Sequence, residues 1–124
     1  MSPDILRQIA EQAAADLRET TAELRRAGLN ARTSVGRIRD GEIVVDFEIY
    51  DESDDSYGLS LGFKADGADS RVSGLITDEQ GRTKHNLGVR AFRTMREGVE
   101  ASRDFARQGA SEVIDHFRPA VAAH

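Results

Sequence analysis

The sequence predicts an α+β fold: a two-layer sandwich in which an antiparallel sheet of about five strands carries long N- and C-terminal helices on one face. Three observations carry that expectation. Residues 42–50 alternate apolar and polar side chains with period two, as a strand covered on one side does. Asp40-Gly41 stands just before them, and this dipeptide readily supplies the positive φ angles of a two-residue hairpin turn. Apolar residues recur at helical spacing near both ends of the chain, outside the region of alternation.

The first helix is expected over residues 3–27. Ser2 suits the N-cap, Pro3 the first helical position, and Asp4 the positive end of the helix dipole, while Gly28 follows the last turn with its Arg25 and Arg26. Its stripe runs through Leu6, Ile9, Ala13, Leu17 and Leu24, with Thr20 and Thr21 weakening it. The stripe is narrow, which suits packing on a sheet better than a coiled-coil seam.

Strands are expected over 32–39, 42–50, 57–64, 71–77 and 82–89. A two-residue turn at Asp40-Gly41 sets Arg39 opposite Glu42, with Gly36 opposite Val45 and Ser34 opposite Phe47. One face then carries Ile38, Ile43, Val45, Phe47 and Ile49, and the other Arg37, Arg39, Glu42, Val44, Asp46, Glu48 and Tyr50. In the third strand Tyr57, Leu59, Leu61 and Phe63 alternate with Gly58, Ser60, Gly62 and Lys64. Its second face is nearly bare, so either a groove or a close neighbour belongs there. Asp66-Gly67 starts another turn. A further hairpin about residues 78–81 sets Thr77 opposite Arg82, Ile76 opposite Thr83, Gly74 opposite His85 and Val72 opposite Leu87. The last helix is expected over 91–117, with a stripe of Phe92, Met95, Val99, Ala106, Val113 and Phe117, flanked by Phe105 and Ile114. Gly109 either breaks it, or joins Gly98 in admitting a close neighbour. Residues 119–124 form a frayed tail.

Length and composition bound the rest. A chain of 124 residues, 39% hydrophobic and 31% charged, suits one domain over 1–124 with its own core. The absence of cysteine excludes disulfides, thiolate catalysis and cysteine zinc sites. No run approaches a membrane span, and the opening MSPDILRQIAEQ lacks a secretory layout, so no membrane association and a cytoplasmic location are expected. The net charge of −5 is unevenly spread: residues 40–79 hold twelve Asp/Glu against two Lys/Arg.

Candidate chemistry is sparse. Asp51, Ser53 and Asp55 alternate as in a calcium loop, but Ser56 and Gly62 stand where such a loop needs glycine and glutamate. Asp46 and Glu48 point the same way from one strand, yet lack a neighbouring base for paired-carboxylate work. His85, His116 and His124 form no metal or nucleophile motif, and no glycine-rich phosphate loop occurs. Arg90, Arg93, Arg96, Arg103 and Arg107 on the final helix are the best case for nucleic acid. Glu97, Glu100 and Asp104 interleave with them as Arg93–Glu97, Arg96–Glu100 and Asp104–Arg107 pairs, so nucleic-acid binding is not expected.

The expectation is therefore a non-catalytic protein-interaction module of adaptor, secretion-type chaperone or toxin-neutralising kind, with no cofactor and no bound metal. Its acidic surface, Asp46, Glu48, Asp51, Glu52, Asp54 and Asp55, would meet a basic protein partner. A homodimer through a helix is a subsidiary expectation. The alternative is a small-ligand binder or enzyme, with its pocket beside Gly58, Ser60 and Gly62 or between sheet and helices.

Overall fold

A computed structural model describes residues 2–36, 41–53 and 55–117. The elements run α1 (Pro3–Arg26), β1 (Asn30–Val35), β2 (Glu42–Tyr50), β3 (Ser56–Asp66), β4 (Asp69–Asp78), β5 (Thr83–Phe92) and α2 (Met95–His116). The five strands form one antiparallel sheet in the order β1-β2-β3-β4-β5. Both helices pack on the same face, α1 mainly over β1 and β2, and α2 over β3, β4 and β5. The fold is the α+β sandwich that the alternating strand and the terminal stripes predict.

Local chemistry explains the boundaries of α1. Ser2 accepts a hydrogen bond from the Ile5 N–H, and Pro3 begins the first turn. At the other end Gly28 takes a φ of 91°. The Gly28 and Leu29 N–H groups then donate to the carbonyls of Arg25 and Leu24, the crossed pair of bonds that satisfies the last turn. Thr21, which looks like a weak point of the stripe, is buried in it. Its hydroxyl bonds the Leu17 carbonyl and lies 2.8 Å from that of Thr33 on β1.

The register of β1 on β2 departs by one residue from a two-residue turn. Thr33 lies opposite Phe47 and Val35 opposite Val45, where Ser34 and Gly36 are expected. A one-residue slip exchanges the two faces of a strand, so Ala31, Thr33 and Val35 face the helices, with Ser34 on the other side. The larger apolar groups of β1 are thereby placed inside. Gly41 has a φ of 75°, whereas Ile38, Arg39 and Asp40 lie outside the described residues.

Between β3 and β4, Gly67, with φ 63°, completes a two-residue turn that sets Asp66 opposite Asp69. The next hairpin also differs from expectation. Register shifts at Gly74/Leu75 and Ile76/Thr77 place Thr77 opposite Thr83, Ile76 opposite His85, Gly74 opposite Gly88 and Val72 opposite Arg90. These bulges let Leu87 lie over Gly74, where an added Cβ would come within 3.1 Å of Leu87 Cδ1.

Strand β5 reaches Phe92, so Ala91 and Phe92 belong to the sheet, and α2 begins three residues later, capped by Thr94 on the Glu97 N–H. The expected start of the last helix at residue 91 is corrected accordingly. Its buried face is also different: Phe105 lies in the core, Val99 is half-buried and Met95 is exposed. The helix is continuous through both glycines. A Cβ on Gly98 would fall 2.7 Å from the Phe92 ring and 2.8 Å from Ile9 Cδ1, and one on Gly109 would collide with Leu59. The helix-forming cost of glycine, about 1 kcal/mol each, is offset by the close approach it permits.

Candidate functional site

With both helices on one side, the strands turn their other residues outward. Rows of neighbours cross this open face: Arg32, Glu48, Gly58 and Thr77; then Ser34, Asp46, Ser60 and Leu75; then Val44, Gly62, Ser73 and Val89. Because Gly58 and Ser60 offer little side chain, β3 forms a short trough there between taller neighbours. Gly62 is covered by its own sheet. The Glu42 carboxylate lies across it, so closely that an added Cβ would collide with Oε1 and sit 3.0 Å from Ser73 Oγ.

Beside Gly58 the trough deepens into a hollow of about 130 Å³ bounded by Arg32, Ser34, Asp46, Glu48 and Thr77. Asp46 accepts a hydrogen bond from the Ser60 hydroxyl, and Glu48 Oε2 is 3.2 Å from the Arg32 guanidinium. Arg32 Cζ also stands 6.0 Å from the centre of the Tyr50 ring. The two carboxylates share a face but have different partners, Ser60 for Asp46 and Arg32 for Glu48. A second depression, of about 400 Å³, adjoins the first through Arg32 and Glu48 and adds Tyr50, Asp51, Ser56 and Glu79. A third, bounded by Tyr50, Asp51, Glu52 and Ser53, reaches the turn after α1 at Gly28 and Leu29. Asp46, Glu48, Asp51 and Glu52 thus line three neighbouring hollows that share wall residues.

Asp55 belongs elsewhere. Its carboxylate is 3.1 Å from His116 Nε2 at the end of α2, and the His116 ring stacks on Tyr57 at 3.9 Å and 5°. Asp54 lies outside the described residues. Asp51 has a structural task as well, since Oδ1 accepts from the N–H groups of Ser53 and Asp55 and closes the loop that resembles a calcium loop in sequence. Among the described residues no three His, Asp or Glu side chains are grouped to hold a metal ion. Arg32 and Glu79 escape sequence reasoning. They come from β1 and the β4–β5 loop, and only the strand order brings them to Glu48.

Among the described residues two groups have displaced pKa values, and neither lines the hollow beside Gly58. Burial pushes the Asp78 carboxyl up, but the N–H groups of Arg82 and Gln80 and the ammonium of Lys84 outweigh it and hold it below the ordinary carboxylate value. Arg93 is raised by its hydrogen bond and charge pairing with Asp69, at 2.7 Å, with Glu97 adding to the effect. Both stabilise turns.

The arginines pair across the fold more than along α2. Arg90 and Arg93 precede the helix; Arg93 meets Asp69 where Glu97 is expected, and Asp104 meets Arg90 where Arg107 is expected. Arg96 keeps Glu100, at 3.4 Å, while Arg103 reaches Asp16 on α1 at 3.8 Å. The last pair borders a hollow of about 280 Å³ between the helices, with Glu19, Thr20 and Arg107 on its walls. Its opposite charges compensate one another.

No protein-family model matches the chain, and no curated protein or solved structure proves similar to it. No helix among the described residues is long and apolar enough to cross a membrane.

Proposed function

We propose that the chain is a non-catalytic protein-interaction module, of adaptor, secretion-type chaperone or toxin-neutralising kind, and that it receives a basic protein partner on the open face of its sheet. The observation that carries this reading is the placement of Asp46, Glu48, Asp51 and Glu52 on the walls of three neighbouring hollows, with Arg32 as the cation among their lining residues. Carboxylates so placed steer a cationic surface and fix its orientation. Asp55, occupied by His116, is left a supporting role, and Asp54 extends the acidic loop in sequence. A cytoplasmic setting belongs to the same proposal.

Titration with a hexalysine peptide tests it. Binding should weaken as sodium chloride rises past the point where the screening length falls to about 8 Å, and charge reversal of Asp51 and Glu52 should weaken it further. Affinity indifferent to both changes would sink the acidic-surface mechanism. Homodimerisation through a helix is the subsidiary proposal. The apolar stripes of both helices are buried against the sheet, so a second copy would meet their polar outer faces, and a monomeric mass by light scattering at high micromolar concentration would dismiss it.

A further inference from the structure

No further inference is drawn: the strongest candidate, the hollow between α1 and α2 bounded by Asp16, Glu19, Arg103 and Arg107, carries opposite charges that compensate one another, and nothing in the structure shows what covers it.

Discussion

On its helix-covered side the sheet sets Phe47 beside Leu59 and Ile76, while one residue along the same strands it sets Asp46 beside Ser60 and Leu75. The first row has essentially no exposure and is closed from above by α2, whose Gly109 rests on Leu59. The second row is open, and its floor is made of residues with little or no side chain. Glycine serves different ends on the two sides. Under α2 it lets the helix approach Leu59 and Phe92, whereas on the open face Gly62 admits the Glu42 carboxylate and Gly58 borders a hollow. Stability is concentrated on one face, and the proposed recognition belongs to the other.

That contrast can be broken by paired substitutions. Phe47→Ala should cost about 3–5 kcal/mol in denaturant unfolding, as large buried aromatics do, whereas Glu48→Ala next to it should cost no more than about 1 kcal/mol. Similar losses at the two positions would mean that the open face is as important to folding as the core. A smaller effect is expected where the helix approaches the sheet. Gly109→Val should destabilise by about 1–3 kcal/mol through overcrowding, and Leu59→Ala should relieve part of that loss in a double-mutant cycle. Full additivity would show that the two sites do not touch in solution.

The loop side of the comparison involves smaller energies. His116→Ala removes the stack on Tyr57 and the pairing with Asp55, with an expected loss of about 0.5–1.5 kcal/mol. The amides near the end of α2 should then exchange faster than those near Gly98, and uniform acceleration would contradict a local latch. Smallest is a pH effect at Asp78. Its folded pKa is lowered relative to the unfolded chain, so its contribution is present above the ordinary carboxylate value and is lost as pH falls through the folded one. In Asp78→Asn, the side-chain oxygen can still accept from Gln80 and Arg82, and the fall in stability below about pH 4 should be shallower than in the parent chain. Parallel curves would assign acid sensitivity to other carboxylates.

The same contrast shows what was legible in the chain. Residues 43–49 alternate large apolar groups with charged and smaller ones, so one register alone buries the large set, and β2 can be read directly. Strand β1 offers Ala31, Thr33 and Val35 against Arg32, Ser34 and Gly36; Arg32 argues for the observed register, but the Asp40-Gly41 turn signal argues for the other. The choice came from partners distant in sequence, Thr21 among them. Ala91 and Phe92 satisfied a helical and a strand period equally, which shifted the expected start of α2. On the open face Asp46 and Glu48 were visible as neighbours two apart on one strand. Arg32 and Glu79 were not, because their proximity depends on the register and on the path of the β4–β5 loop. The glycines of α2 were ambiguous for the same reason: their purpose lies in Leu59, Phe92 and Ile9 rather than in the helix itself.

The plain strand order, β1 through β5 as they occur in the chain, has a consequence in time. Each strand finds its partner in the segment just before it, so pairing can proceed turn by turn at low loop-closure cost during synthesis. The helices cannot. Ile9 of α1 meets Gly98 only after the whole sheet has been made. Until then the first-made helix keeps its apolar stripe without its final neighbour, and the interval ends when the last quarter of the chain folds over the sheet.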